Sequence, residues 1–235
     1  MRKRLFAWVY GRIDRRTRQA TARLRSDLLG DLIGDILEIG CGPGANFAHY
    51  RPEARVTATD YSEHMITRAR TEATLPSVEA SITVQQADIG ALPFPDAAFD
   101  AVVSTLVLCS VPDQSRALAE LHGLLRPGGE LRLWEHVRSD RRWVAAAQAA
   151  ANSIYSPLAD GCHLNRNTAA AITAAGFEVL SQDRPTVRGH PLPNLLMIAR
   201  LPDRASVDYG TAETLRGSEP TLDDRTKVSD RRPPG

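Results

Sequence analysis

The chain has 235 residues, of which 43% are hydrophobic, and a formal net charge of +1 at pH 7. This length suits one α/β domain with additions, and the near-neutral charge gives no whole-molecule case for binding nucleic acid or membrane surfaces. Three cysteines are too few, and odd in number, for a disulfide framework, so a reducing cytoplasm is the expected location. No apolar run reaches the roughly 18 to 20 residues that a transmembrane helix needs.

Residues 1–34 form a basic N-terminal segment with a helical pattern. Nine basic side chains fall within the first 30 residues, and Trp8, Leu24 and Leu28 belong to a broken helical spacing of apolar residues. The apolar stretch near the start has six residues, which is short for the core of a secretory signal. Two interpretations stay open: helices that pack over the following domain with a solvated basic face, or a surface in peripheral contact with an anionic membrane.

Strand-like apolar runs then alternate with helical patterns. The strand-like runs cover about 36–39, 56–60, 82–86, 99–105 and 130–136. One helix is predicted to begin at Ser62, whose side chain is suited to cap it, and another runs from Asp113 to Leu125. A type II turn is predicted for Arg126-Pro-Gly-Gly129, which follows. This alternation predicts βαβ units and a parallel sheet with right-handed crossovers.

The second half of the chain departs from this alternation. Helices are predicted over 140–155 and Thr168–Ala175, the second of them closed by Gly176. Two strands follow at 177–182 and 195–201. Because no helix separates them, we expect them to pair as an antiparallel hairpin.

The last residues are polar and have no helical or strand period from Pro202 onward. Such a composition is typical of disordered chain. The predicted organisation is therefore a basic helical segment at 1–34, a central domain at 35–202 and a disordered polar tail at 203–235.

A glycine-rich turn follows the first strand, and a carboxylate closes the second. Gly40-x-Gly42-x-Gly44 comes directly after the first run, and Asp60 lies 20 residues after Gly40. Glycine lets the backbone approach a ligand with no Cβ in the way, and a carboxylate at this spacing is placed to accept hydrogen bonds from ribose hydroxyls. The pattern predicts a pocket for a nucleoside-containing cofactor at the carboxyl ends of the strands.

The glycine turn alone leaves a nicotinamide-dependent, NAD(P)-binding oxidoreductase open, because Gly40-x-Gly42-x-x-Ala45 also satisfies the dinucleotide fingerprint. Three features favour another family. Asp88 closes the third strand, where it can accept a hydrogen bond from an adenine amino group. A hydrophobic lip at 106–113 follows the fourth strand, and the chain closes with a strand pair where a dinucleotide fold would begin its second half.

In these segments the chain resembles the class I S-adenosylmethionine-dependent methyltransferases. The matching segments are Leu37-Glu-Ile-Gly-Cys-Gly-Pro-Gly44, Val56 to Met65, Ala87 to Asp100 and Leu125-Arg-Pro-Gly-Gly129. The resemblance implies a three-layer, Rossmann-like α/β fold with a seven-stranded sheet of order 3-2-1-4-5-7-6 and strand 7 antiparallel. It also implies S-adenosyl-L-methionine as the cofactor and makes the central domain the methyltransferase domain.

A narrower similarity is to the small-molecule branch that includes thiol and phospholipid-amine methyltransferases. It is carried by 44–47, 134–137 and 160–168. It implies a small-molecule acceptor, with a thiol or an amine expected, and no nucleic acid partner. The non-enzymatic alternative is a cofactor-binding or membrane-docking module that lost catalysis. The sequence does not indicate an oligomeric state.

The resemblance also implies which residues contact the cofactor. Glu38 would anchor the glycine turn or reach the amino acid end of the cofactor, and Asp60 would hold the ribose. The full set is Glu38, Gly40, Cys41, Gly42, Gly44, Asp60, Tyr61, Met65, Asp88, Ile89 and Leu106.

A general base is needed for an amine acceptor, and less so for a thiol, which ionises near pH 8.5. His136 is the first catalytic candidate because it ends the fifth strand, where the site should open, and His163 is the second. For each, an ordinary hydrogen-bonded histidine is the alternative. Cys109 is expected to pack rather than to act as a nucleophile. No metal is predicted, because Cys162-His163 and His136 lack the spacing of a zinc motif.

Overall fold

The computed structural model describes residues 18–159, 161–187 and 192–203. The chain divides into two compact units, 1–204 and 205–235, and the second unit lies outside the described residues. The predictions for residues 1–17 and for the polar tail beyond residue 203 therefore concern undescribed chain. Within the described ranges, no helix combines the length and the apolar character required to cross a membrane.

The described strands form one seven-stranded mixed sheet in the order β3-β2-β1-β4-β5-β7-β6. They are β1 Gly34–Ile39, β2 Ala54–Asp60, β3 Ser81–Gln86, β4 Phe99–Thr105, β5 Leu125–His136, β6 Glu178–Asp183 and β7 Asn194–Arg200. Strands β1 to β5 pair in parallel, whereas β7 is antiparallel to both β5 and β6. The predicted fold class and the closing hairpin are confirmed. The order differs from the 3-2-1-4-5-6 sheet of dinucleotide-binding folds.

The helices lie between these strands, except for the first. They are α1 at 18–29, α2 Glu63–Glu72, α3 Gln114–Leu124, α4 Arg142–Leu158 and α5 Thr168–Ala174, with a single 3-10 turn at Phe47–His49. The Asp113 carboxylate caps α3 by accepting the Arg116 N–H at 3.0 Å. The predicted side-chain cap of α2 is wrong, because Ser62 makes no capping hydrogen bond. Its own N–H instead donates to Asp60 Oδ1 at 2.8 Å.

Strand β5 begins five residues earlier than its sequence pattern indicated and absorbs the predicted type II turn. Gly128 has φ +77°, the positive value that the third position of that turn requires. The pairing of β5 with β4 jumps from Phe99–Leu125 to Ala101–Glu130, which accommodates the extra residues. The segment is also tied to the end of β7, because the Gly128 N–H donates to the Leu201 carbonyl at 2.9 Å.

Two hydrophobic clusters pack on the two faces of the sheet. Ile36 of β1 belongs to the cluster that includes Leu28 and Leu29 of α1, whereas Leu37 belongs to the cluster that includes Leu121 of α3. Alternate side chains of a strand point to opposite faces, so β1 is covered on both sides. The parallel strands consequently end at one edge of the sheet, between the two helical layers, where ligands bind in open α/β sheets.

Candidate active site

A cavity opens at the carboxyl ends of β1 and β4. Glu38, Gly40 and Cys41 line it from the β1 side, Leu106 from the β4 side, and Arg25 from α1. Four of these five residues were predicted from the sequence to contact a cofactor, and the fold brings them together. Burial raises the pKa of Cys41, which agrees with its interpretation as a small packing residue in the turn.

The three glycines of the turn have different neighbours. Gly42 has φ +55°, and a Cβ added there would have no atom within 4 Å, so this residue leaves space for a ligand. A Cβ on Gly40 would lie 2.5 Å from Val107 Cγ2, and one on Gly44 would lie 2.6 Å from the Phe47 ring. Gly42 therefore leaves room in the cavity, whereas Gly44 and Gly40, which also lines the cavity, leave no room for a side chain.

Asp60 ends β2 with its side chain against the glycine turn. The residue is 7% exposed, and its Oδ2 accepts the Gly42 N–H at 2.9 Å. The carboxylate thus fixes the backbone of the turn at the place where ribose hydroxyls are expected to bind. The sequence predicted the position of this side chain but not its bond to the turn.

The residues predicted to surround the adenine lie at the ends of β2 and β3. The Ala87 N–H donates to the Asp60 carbonyl at 3.1 Å, so the two strand ends adjoin. Asp88 is exposed, and its Oδ1 accepts the Gly90 N–H at 2.8 Å. Tyr61 is 53% exposed, and Met65 and Ile89 are half-buried.

Glu38 is a buried carboxylate at the centre of a polar cluster. It accepts a hydrogen bond from Tyr50 Oη at 2.8 Å and one from Asn46 Nδ2 at 2.9 Å. Asn46 Nδ2 also donates to Thr105 Oγ1 at 3.0 Å and so connects β1 with the end of β4. Burial raises the pKa of Glu38 to about 7. The sequence predicted Glu38 but not Tyr50, Asn46 or Thr105.

Arg25 brings a cation from α1 into the wall of the cavity. It is 7% exposed, its guanidinium donates to Asn46 Oδ1, and its Cζ lies 5.2 Å from the centroid of the Trp134 ring. Its charge also acts on Glu38, where it opposes the effect of burial on the pKa of that carboxyl. The sequence interpretation treated the basic groups of this segment as solvent-facing. Helical spacing could have indicated that Arg25 is buried, because Thr21, Arg25 and Leu28 lie on one face of the helix and all three are buried.

Replacing Glu38 with glutamine should change how stability depends on pH. The folded-state pKa of about 7 lies above the ordinary value of 4.5, so the native state binds the proton more tightly and wild-type stability falls as pH rises between these values. Glutamine does not titrate and so lacks this pH-dependent loss. The free energy of unfolding of Glu38→Gln, taken relative to that of wild type, should therefore rise by about 2 to 3 kcal/mol from pH 5 to pH 8. Urea unfolding at both pH values measures this. Glu79→Gln, at an exposed position, should show no such change, and parallel curves for Glu38→Gln and wild type would contradict the buried, proton-binding carboxyl.

The β4 loop, residues 106–112, is held by charges on both sides. It starts at Leu106, whose φ of +60° is unusual for a non-glycine residue. Glu135 is fully buried and accepts four hydrogen bonds, from Ser104 Oγ at 2.6 Å and from the N–H groups of Val107, Leu108 and Cys109 at 3.0, 3.0 and 3.1 Å. Arg166 donates to the carbonyls of Leu108 and Val111. The sequence indicated no role for Glu135 or Arg166, although both fall in the segments that carry the narrower resemblance.

Two cysteines and one histidine meet beside this loop. The Sγ atoms of Cys109 and Cys162 are 3.6 Å apart, and Cys162 Sγ lies 3.7 Å from His136 Nδ1. The hydrogen bond with the Cys109 thiol, and to a lesser extent the one with His136, lowers the pKa of Cys162 to about 5. The contact between the two thiols raises the pKa of Cys109. His163 lies nearby but is engaged elsewhere, with its Nδ1 3.2 Å from Asn152 Nδ2.

Comparison with known proteins agrees with this geometry. A family model described as a methyltransferase domain matches residues 37–133. The human thiol S-methyltransferase TMT1B is 36% identical over 153 residues, which are 63% of this chain and 62% of that protein. Its rat counterpart is 34% identical over 178 residues, 74% of this chain and 72% of the relative. The chain belongs to the class I S-adenosylmethionine-dependent methyltransferases.

Other relatives of this methyltransferase differ in acceptor. The phosphatidylethanolamine N-methyltransferase of Cereibacter sphaeroides is 30% identical over 146 residues, 62% of this chain and 70% of that protein. Among solved structures, an S-adenosylmethionine-dependent methyltransferase from Methanosarcina mazei superposes with a TM-score of 0.60 at 22% identity, covering 75% of this chain and 96% of that one. The structural match supports the fold, and the sequence matches support the small-molecule branch.

S-adenosylmethionine is the cofactor of this methyltransferase, and the residues at the cavity fit it. The open space over Gly42 admits a ligand where the glycine turn meets the acid that ends β2. A second carboxyl, that of Glu38, lines the cavity. Asp60 would hold the ribose hydroxyls, Asp88 and Ile89 would bracket the base, and Glu38 would face the amino acid end.

Proposed function

We propose that this methyltransferase transfers the methyl group of S-adenosylmethionine to the sulfur of a small-molecule thiol. The observation that carries the proposal is the sulfur- and imidazole-lined corner formed by Cys109, His136 and Cys162. It lies beside the β4 loop, whose first residue, Leu106, lines the cofactor cavity. The human, rat and mouse relatives named thiol S-methyltransferases support the same acceptor. A small amine is the second candidate, supported by the phosphatidylethanolamine N-methyltransferase relative.

When bound, S-adenosylmethionine supplies a methyl group that is already activated on a sulfonium. The remaining work of the protein is to place the acceptor in line with that methyl group and to exclude water. Proximity and orientation of this kind can supply roughly 7 to 11 kcal/mol. Rigid walls are therefore more important here than a strong acid or base.

The β4 loop provides such a wall. Leu108 and Cys109 are 0% and 1% exposed, so the loop is packed into the protein and has no water behind it. Glu135 holds its N–H groups, and Arg166 holds its carbonyls. Because side chains accept hydrogen bonds from the N–H groups of the loop and donate hydrogen bonds to its carbonyls, the loop can keep one conformation while the acceptor binds.

An acceptor screen with a radiolabelled methyl donor tests the proposal. We expect thiols to be methylated with a kcat/KM at least about tenfold above that of matched amines at pH 7.5, because a thiolate forms more readily than a free alkylamine at this pH. Phenols and lipid headgroups complete the panel. Preferred transfer to the amine of each matched pair would overturn the thiol assignment.

Calorimetry separates the other functions. S-adenosylhomocysteine should bind, and NAD should not, because the sheet ends in an antiparallel pair instead of a second dinucleotide-binding half. Binding of S-adenosylhomocysteine without turnover on any acceptor of the panel would favour an inactive cofactor-binding module.

A further inference from the structure

We propose that Cys109, His136 and Cys162 form a zinc-binding site, with the two Sγ atoms and the imidazole as ligands. The three residues come from the β4 loop, the end of β5 and the segment before α5, which are far apart in sequence. One ligand atom from each lies within 4.8 Å of those of the other two. The sequence predicted no metal here because these residues form no recognisable spacing motif, and the fold alone brings them together.

Two of the three distances between ligand atoms match those of a tetrahedral zinc ion. With Zn–S near 2.3 Å and Zn–N near 2.0 to 2.1 Å, tetrahedral angles place two sulfurs about 3.8 Å apart and a sulfur and a nitrogen about 3.6 Å apart. The observed separations are 3.6 Å for Cys109 Sγ to Cys162 Sγ and 3.7 Å for Cys162 Sγ to His136 Nδ1. Shifts of about 0.2 Å would bring these two distances to the tetrahedral values. The third pair, Cys109 Sγ and the His136 nitrogen, lies within 4.8 Å and has to close further to reach them.

Hydrogen bonds hold the segments that carry the two cysteines. Glu135 Oε2 accepts the Cys109 N–H at 3.1 Å, and the His163 N–H donates to the Cys109 carbonyl at 2.8 Å. The second bond joins the β4 loop to the segment that carries Cys162. Asn152 of α4 fixes that segment from the other side, because its Oδ1 accepts the Leu164 N–H at 2.8 Å. A preorganised site of this kind binds metal without a large rearrangement.

The ligand chemistry favours zinc. Thiolate and imidazole are borderline-soft ligands that suit a tetrahedral Zn²⁺ ion, whereas Mg²⁺ and Ca²⁺ require oxygen ligands. Both cysteines are buried, at 1% and 6% exposure, so the protein surrounds the two sulfur ligands. Binding converts both thiols to thiolates and releases their protons to solvent.

The number of ligands indicates a site with an exchangeable position. In the part of the chain that the structure describes, no fourth histidine, cysteine, aspartate or glutamate joins the three. Structural zinc sites have four protein ligands, whereas catalytic sites have three and leave the fourth position to water or substrate. The next step rests on the proposed function: the fourth position takes the acceptor thiol. The S–H bond of the acceptor breaks, a Zn–S bond forms, and the proton leaves to solvent. His136 is then a ligand instead of the general base predicted from the sequence.

Metal analysis of the full chain tests the site directly. Protein purified with a phosphine reductant, loaded with Zn²⁺ and passed through gel filtration should retain about one zinc per chain. Cys109→Ser, Cys162→Ser and His136→Asn should each lower zinc affinity at least about tenfold. Cys41→Ser is the matched control, because it alters the third buried cysteine of the chain and should keep its zinc. Failure of wild type to retain zinc, or equal retention by the three variants, would overturn the proposal.

Cobalt provides a readout that needs no variant. Co²⁺ bound by two thiolates and an imidazole should give sulfur-to-metal charge-transfer absorption and the strong visible bands of a tetrahedral ion. Octahedral, weak bands, or a Cys109–Cys162 disulfide found by mass spectrometry in the reducing buffer, would contradict the site.

The cobalt spectrum also separates this inference from the proposed function. A shift on adding a small thiol supports direct coordination of the acceptor, and an unchanged spectrum overturns that coordination. A tetrahedral spectrum in a chain that methylates only amines would sustain the metal site and reject the thiol assignment. Thiol methylation by a chain that binds no metal would do the opposite.

Discussion

Glu135→Ala is expected to lower the free energy of unfolding by about 3 to 5 kcal/mol. The carboxylate accepts four hydrogen bonds inside the protein, three of them from backbone N–H groups of the β4 loop. Alanine leaves these donors buried without an acceptor and creates a cavity beneath the loop. Urea denaturation followed by circular dichroism measures the effect as a lower midpoint at an unchanged slope.

Two further variants make the result interpretable. Glu135→Gln keeps the shape and one acceptor oxygen but turns an amide N–H₂ toward backbone donors, so an intermediate loss is expected. Glu79→Ala removes an exposed glutamate before β3 and should leave stability nearly unchanged. If Glu135→Ala proved no worse than Glu79→Ala, the β4 loop would have to be held by other contacts.

Asp60→Ala should weaken binding of S-adenosylhomocysteine by about a hundredfold or more. The Asp60 carboxylate is expected to accept two charge-assisted hydrogen bonds from the ribose, each worth about 1.5 to 3 kcal/mol, and alanine would remove both. The glycine turn also loses the acceptor for its Gly42 N–H. Isothermal titration calorimetry gives the dissociation constant. Asp60→Asn, which keeps one oxygen for the turn, should bind more tightly than Asp60→Ala.

Asp27→Ala is the control for this comparison. Asp27 lies on α1 with its side chain 65% exposed, and its loss should leave the dissociation constant of S-adenosylhomocysteine unchanged. Wild-type affinity in Asp60→Ala would refute the ribose-binding role and would require another anchor for the nucleoside.

The topology of this methyltransferase could be predicted from its sequence because the signals are local. The strand-like runs, the glycine turn and the acids at their ends each occupy a few consecutive residues. The resemblance then supplied the order of the strands and the antiparallel hairpin, which local patterns cannot provide. The boundaries of β5 were less predictable, since the Pro-Gly-Gly sequence satisfies a turn and a bulged strand equally well locally.

The parts of the site that escaped prediction depend on contacts between distant segments. Arg25 belongs to a segment whose overall charge suggests solvent, and only its packing against Trp134 shows that it is buried. Cys109 and Cys162 are 53 residues apart, and nothing in their local sequence predicts that their sulfurs meet.

The burial of α1 bears on where an autonomous catalytic fragment can start. Leu28 and Leu29 interlock with β1 side chains, and Arg25 neutralises part of the acidic character around Glu38. A truncated protein beginning at residue 35 would expose the hydrophobic face of the sheet that α1 covers. It would also remove Arg25 from the wall of the cavity. Helix α1 is thus an integral part of the methyltransferase domain, and shortened versions for crystallography or engineering must retain it.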